Sequence, residues 1–87
     1  MLETQKLKNI GKVLSSRLQE IGVVTREDLV KLGSAEAHRR IQLNYPETKL
    51  PVCYYLYSLE GAIMDMNWRE FSEEQKRLLR EKAAVAD

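Results

Sequence analysis

Apolar residues recur at helical spacing along most of the chain, and residues that start or stop helices stand between them. The first stripe predicts a helix over about 12–20 and consists of Val13, Leu14, Leu18 and Ile21. Gly22 is suited to end that helix, because glycine adopts the left-handed conformation without strain. Residues 1–7 predict a short first helix, and a turn over 8–11 separates the two helices.

Two short helices are predicted next, each bounded by polar signals. Thr25, with Asp28 three residues later, has the form of a capping box that starts the first helix, and Gly33 ends it. Ser34 is predicted to cap the second helix, over about 35–44. The narrow apolar stripe of that helix is Ala37, Ile41 and Tyr45.

The most apolar segment is the helix predicted to begin at Pro51, a residue that fits the first turn of a helix. One of its sides carries the stripe Val52, Leu56, Leu59 and Ile63. Another side carries Tyr54, Tyr57, Gly61 and Met64. A helix that is apolar on two sides either forms the centre of the domain or is partly covered by a partner.

The end of the chain predicts a tight joint followed by a final helix. Trp68 lies in the joint over 65–71, and Ser72 with Gln75 forms a capping box for a helix over about 73–84. Glycine and proline are scarce, at 4 and 2, and no segment alternates convincingly between apolar and polar residues. We therefore expect an all-α fold, a compact bundle of five or six short helices forming one domain over 1–87.

The charges nearly cancel, with 14 basic and 13 acidic side chains among 87 residues. This balance argues against a polybasic, histone-like nucleic-acid binder. The charges are unevenly placed: residues 1–49 carry nine Lys/Arg and six Asp/Glu, whereas 50–87 carry five and seven. An anion-facing surface is therefore expected on the N-terminal half.

The single cysteine, Cys53, excludes an intrachain disulfide and is interpreted as a small packing residue. The polar start of the chain does not resemble a signal peptide, and no apolar run approaches the roughly 20 residues of a membrane span. These features favour a cytoplasmic location.

The phrase Leu7-Lys8-Asn9-Ile10-Gly11-Lys12, followed by an amphipathic helix, is similar to the helix-hairpin-helix element of many DNA-handling proteins. A helix N-terminus offers free N–H groups and a favourable dipole to a phosphate. The predicted phosphate-binding residues are Lys8, Asn9, Gly11 and Lys12. The motif's usual first glycine is Asn9 here, and its common proline is Lys12. In the alternative interpretation, which these departures favour, Gly11 only permits a tight turn and Ile10 fills the core.

Several further phrases extend this similarity over about 5–82. They are Leu18-Gln19-Glu20-Ile21-Gly22-Val23, Glu27-Asp28-Leu29, Leu32-Gly33, Ala35-Glu36-Ala37-His38-Arg39-Arg40, Leu56-Tyr57-Ser58-Leu59-Glu60-Gly61-Ala62 and Asn67-Trp68-Arg69-Glu70-Phe71. Together with the hairpin phrase, they resemble the C-terminal domain of the TfoX (Sxy) competence regulators. The resemblance implies a compact helical fold with a helix-hairpin-helix-like N-terminal unit. It also implies a bacterial role in DNA transformation and competence gene regulation. Full-length members carry a further N-terminal domain, so a stand-alone version is expected here.

Three other features leave alternatives open. Trp68 either locks two helices together, which is the favoured interpretation, or faces a ligand. Glu60 either pairs with Arg69 or Arg39 or faces solvent. The run His38-Arg39-Arg40 is either an anion patch or, more commonly for such charges, a solvated helix face.

No pattern indicates a catalytic nucleophile, a metal site or a cofactor loop, so we expect a binding protein rather than an enzyme. The first hypothesis is a DNA-associated regulatory domain that contacts phosphates weakly and without sequence preference. The alternative is a protein-interaction or self-association domain with no nucleic-acid contact. Its predicted interface residues are Tyr54, Tyr57 and Met64, because tyrosine is favoured in interfaces.

Overall fold

The computed structural model describes residues 3–48 and 50–86, and every regular element in that part of the chain is helical. A short 3-10 helix, Glu3–Lys6, precedes the first α-helix, and a second 3-10 helix, Trp68–Glu70, precedes the last α-helix. The α-helices are α1 (Lys12–Glu20), α2 (Arg26–Leu32), α3 (Ser34–Asn44), α4 (Val52–Met64) and α5 (Glu73–Ala86). The predicted all-α fold is confirmed.

The predicted helix boundaries hold where a local signal sets them. Gly22 and Gly33 have positive φ of 85° and 87°, which glycine adopts without strain, and each directly follows the helix that it is predicted to end. Thr25 Oγ1 accepts from Asp28 N at 3.0 Å, and Asp28 Oδ2 accepts from Thr25 N at 3.2 Å. This completes the capping box of α2. The Ser72–Gln75 pair forms the same arrangement before α5.

The short helix predicted over 1–7 is present in its described part as the 3-10 helix Glu3–Lys6. One expectation about helix starts is wrong. Ser34 is the first residue of α3 rather than its cap, which is Gly33. The buried Ser34 hydroxyl donates instead to Glu60 Oε1 at 2.7 Å, and this hydrogen bond joins α3 to α4. Glu60 is half-buried, and the hydroxyl gives its carboxylate a partner that the sequence interpretation had not considered.

The core has two clusters, and α4 contributes to both. The first cluster is Ile10, Leu14, Leu18, Val23, Leu29, Ala37, Ile41, Leu50, Tyr55, Leu59 and Ala62. The second cluster is Leu56, Tyr57, Phe71 and Leu79. Because α4 also packs against α2, α3 and α5, its two apolar sides reflect a position at the centre of the domain.

Some predictions concern residues outside the described part of the chain. They involve Met1, Leu2 and Lys49, and the side chains of Val52 and Cys53. Within the described part, none of the helices combines the length and apolar character needed to cross a membrane.

Candidate functional site

The hairpin before α1 is shaped by Asn9 rather than by Gly11. Asn9 has φ of 69°, and Ile10 N donates to Leu7 O at 3.2 Å to close the turn. Gly11, the N-cap of α1, has φ of −96° and ψ of −172°, an extended conformation open to other residues. A Cβ on Gly11 would meet nothing within 4 Å. The interpretation that Gly11 permits the tight turn is therefore wrong, whereas Ile10 fills the core as expected.

The Asn9 side chain is engaged inside the molecule. Its Nδ2 donates to Met66 O at 2.9 Å, and its Oδ1 accepts from Trp68 N at 3.4 Å. The amide also lies directly against Gly61 of α4. Both polar ends of Asn9 are thus used to join the hairpin to the segment that follows α4. The Asn9 side chain therefore has a structural role. Of the predicted phosphate-binding residues, Lys8, Gly11 and Lys12 are the exposed ones.

The N-terminus of α1 has neither a side-chain cap nor an acidic residue in its first turn. The first turns of α2, α3 and α5 each contain acidic residues, which satisfy part of the positive end of those helix dipoles. Gly11 and Lys12 are exposed, and Val13 is 52% exposed. The free backbone N–H groups at the start of α1 are therefore open to an anion from solvent.

Two exposed lysines flank this N-terminus. Across residues 3–48 and 50–86, neither Lys8 nor Lys12 forms an ion pair with another side chain. Both ammonium groups therefore add uncompensated positive charge beside the helix dipole.

The basic run on α3 is arranged differently. Arg39 and Arg40 both bind the carboxylate of Glu36, at 2.6 and 2.8 Å. Hydrogen bonds from Arg39 and then Arg40 lower the pKa of Glu36 from 4.5 to about 2. Part of the positive charge of this run is therefore neutralised within α3, which favours a solvated face over an anion patch.

Trp68 packs against the second core cluster, as the joint interpretation predicts. Its ring centroid lies 5.8 Å from that of Tyr57, with an interplanar angle of 38°. Two cations lie beside the indole: Lys76 Nζ at 5.5 Å and Arg69 Cζ at 6.0 Å from the ring centroid. No sequence pattern indicates the Lys76 contact, because it depends on how α5 packs against the joint.

The three residues predicted as a protein interface are not all on the surface. Tyr54 and Met64 are 41% and 46% exposed, whereas Tyr57 is only 6% exposed. The Tyr57 hydroxyl accepts from Arg80 Nη1 at 2.5 Å, so this tyrosine belongs to the interior. Met64 instead shares an open groove between α4 and α5 with Leu78, which is also 46% exposed.

Within the described part of the chain, no group of three or more His, Cys, Asp or Glu side chains is arranged to hold a metal ion. The outward-facing chemistry of the hairpin consists of backbone N–H groups and ammonium groups. Such groups bind and position an anion.

Comparison with known proteins identifies relatives of nearly the whole chain. Residues 2–83 match the family model of the TfoX C-terminal domain. A crystal structure of an uncharacterized protein from Listeria monocytogenes, in a triclinic form, is 34% identical with a TM-score of 0.80. That match covers 94% of this chain and 90% of the Listeria chain. A tetragonal form of a Listeria monocytogenes protein of unknown function gives the same identity and TM-score, with coverages of 95% and 99%. No match was found among curated proteins.

Proposed function

The chain belongs to the TfoX C-terminal domain family, and from this premise we propose that it is a non-enzymatic, DNA-associated binding domain. The proposed contact is between the phosphate backbone and the N-terminus of α1. Because this contact involves phosphates rather than base edges, it gives affinity without sequence preference. The link of the family to competence regulation, expected from the resemblance, is in keeping with a DNA-associated role.

One observation carries the proposal: the start of α1 is exposed, uncapped and flanked by two lysines without an ion-pair partner in the described chain. A phosphate placed there would accept from the backbone N–H groups of the first turn. Lys8 and Lys12, which are exposed and close to Gly11 in the sequence, would add positive charge. Since Gly11 has no side chain, it leaves the approach open.

The test is DNA binding by the double variant Lys8→Glu/Lys12→Glu, measured by anisotropy of a labelled DNA duplex at several salt concentrations. The unmodified protein is expected to bind weakly, with log K falling by about 0.9 per log unit of salt for each phosphate neutralised. The double variant is expected to lose this binding.

A matched control is Lys31→Glu/Lys82→Glu, which makes the same change in net charge at two exposed lysines on α2 and α5. It is expected to retain most of the binding, and circular dichroism should show all three proteins folded. The proposal fails if the unmodified protein does not bind even at low salt. It also fails if both double variants weaken binding equally.

A second candidate function is self-association through the groove between α4 and α5. Its support is the pair Met64 and Leu78, each 46% exposed on the same groove. Glu60 and Lys82 line that groove as well, so it offers opposite charges to a second copy of the chain. Sedimentation equilibrium of the protein and of Leu78→Lys tests this candidate. A dimer that the substitution dissociates would support it, and a monomer at all concentrations would contradict it.

A further inference from the structure

Trp68 lies at the boundary between the second core cluster and the surface. The indole is half-buried, and its neighbour Tyr57 is 6% exposed. Tyr57 therefore lies on the side of Trp68 that faces the interior, and the two ring centroids are 5.8 Å apart. The indole as a whole retains some solvent exposure, although Trp68 packs against the cluster.

Two cations accompany the indole. Lys76 Nζ lies 5.5 Å from its centroid, and Arg69 Cζ lies 6.0 Å from it. The acids close to them along the chain are Asp65, Glu70, Glu73 and Glu74. Glu73 Oε1 lies 3.6 Å from Lys76 Nζ, and Glu70 Oε2 accepts from Asn67 N at 3.0 Å. The Glu73 side chain is 89% exposed, which weakens the pair, whereas the Lys76 side chain is 19% exposed. The guanidinium of Arg69 has no ion-pair partner within the described chain.

This aromatic surface adjoins the hairpin. Asn9 accepts from the backbone N–H of Trp68, so the residue next to Lys8 touches the residue that carries the indole. The N-terminus of α1 and the 3-10 helix of Trp68 are therefore neighbouring parts of the surface. A flexible polyanion bound at one of them passes close to the other.

We propose that Trp68 is a stacking platform for an unpaired base, and that the preferred ligand is single-stranded nucleic acid. Arg69 and Lys76, whose cations lie over the Trp68 ring, supply positive charge for the phosphates next to the stacked base, and the strand continues to the N-terminus of α1. The inference rests on the proposed function, because it names the class of nucleic acid that the hairpin binds.

The chemistry favours a single strand over a duplex. Bases inside a duplex are already stacked on their neighbours, so an aromatic ring on a protein surface has no free base to contact. An unpaired base presents a free π-face, and aromatic rings accompanied by cations are the usual platform for it. Arg69 adds to this because a guanidinium plane stacks on bases as well as binding phosphate.

Tryptophan fluorescence tests the proposal directly, because the chain contains only 1 tryptophan. The protein is titrated with a short oligothymidine, with an oligouridine, and with a DNA duplex of the same length. Stacking on Trp68 is expected to quench the emission with either single strand. The duplex is expected to leave the emission unchanged and to bind more weakly.

A pair of substitutions separates stacking from packing. Trp68→Leu keeps an apolar side chain but removes the π-face, whereas Trp68→Phe keeps an aromatic ring. Because stacking on one base is the interaction removed, Trp68→Leu is expected to weaken single-strand binding by about 5- to 100-fold. Trp68→Phe should retain most of the affinity. Binding is followed by anisotropy of labelled oligonucleotides, and folding by circular dichroism.

The outcomes distinguish this inference from the proposed function. Equal binding of duplex and single strand without quenching overturns the stacking site but leaves phosphate binding at α1 intact. Equal quenching by polyglutamate also overturns it, because an acidic peptide has no base to stack. If no nucleic acid binds at low salt, both proposals fail. Quenching by single strands together with a selective loss in Trp68→Leu supports the stacking site.

Discussion

At the scale of single residues, Asn9 of the hairpin lies in close contact with Gly61 of α4. Asn9 holds the left-handed turn of the hairpin, and its amide reaches across to the end of α4. Gly61 makes room for it, since a Cβ at position 61 would overlap Asn9 Nδ2 and lie 2.6 Å from Met66 O. The shape of the hairpin therefore depends on a residue 52 positions away in the sequence.

Gly61→Ala tests this contact. Alanine is the better helix former by about 1 kcal/mol, but the added methyl group would displace both Asn9 and the Met66 carbonyl. Overpacking of this kind typically costs about 1–3 kcal/mol, so we expect net destabilisation in urea denaturation. Gly11→Ala is the matched control, since no atom lies within 4 Å of its Cβ and its φ is compatible with alanine. An unchanged stability of Gly61→Ala would contradict the close contact.

The Glu36 carboxylate gives a prediction about pH. Arg39 and Arg40 lower the pKa of Glu36 to about 2, below its ordinary value of 4.5. Because the folded-state pKa is depressed, this group stabilises the fold fully above about pH 4.5, and the contribution is lost as the pH falls towards 2. Glu36→Gln should therefore be less stable than the unmodified protein at neutral pH. Urea denaturation should show this difference shrinking with acidification, and a difference that is constant with pH would count against the ion pairs.

At the scale of elements, helix boundaries follow the sequence wherever the signal is local. Thr25 and Asp28, Gly33, and Ser72 with Gln75 act within a few residues, so their roles were predictable. Ser34 was not, because its hydrogen-bond partner, Glu60, is 26 residues away.

Thr25→Ala should destabilise α2, which is only 7 residues long. Loss of the N-cap hydrogen bond to Asp28 N is expected to cost about 1 kcal/mol. Ser16→Ala is a suitable comparison, because its hydroxyl bonds back to Lys12 O inside α1 and alanine is the better helix former. Chemical denaturation should show a clear loss for Thr25→Ala only. Equal losses for the two variants would mean that the cap adds nothing specific.

At the scale of the whole molecule, α4 joins the two core clusters. Leu59 and Ala62 belong to the first, and Leu56 and Tyr57 to the second. The sequence pattern shows that α4 is apolar on two sides, but the spacing of apolar residues does not show which neighbouring helix covers each side. Tyr57 was consequently predicted at the surface together with Met64, although packing of Phe71 and Leu79 buries it. The contact of Lys76 with Trp68 is not predictable from the sequence either, because it depends on how α5 packs.

The shared helix predicts that the two clusters unfold together. Circular dichroism at helical wavelengths reports on all the helices, whereas the fluorescence of Trp68 reports on the second cluster. Because α4 belongs to both clusters, the two signals should give coincident urea transitions. A fluorescence transition at lower urea than the loss of helix would show that the second cluster melts by itself.

The contact between Asn9 and Gly61 has a consequence for natural variation in the family. A side chain larger than hydrogen at position 61 would overlap the amide at position 9 and crowd Met66 O, so the two positions should tend to change together during evolution. Relatives that have lost the glycine are expected to have lost the asparagine as well. In those relatives, glycine at position 9 would supply the left-handed turn, which restores the more common form of the hairpin motif without the link to α4.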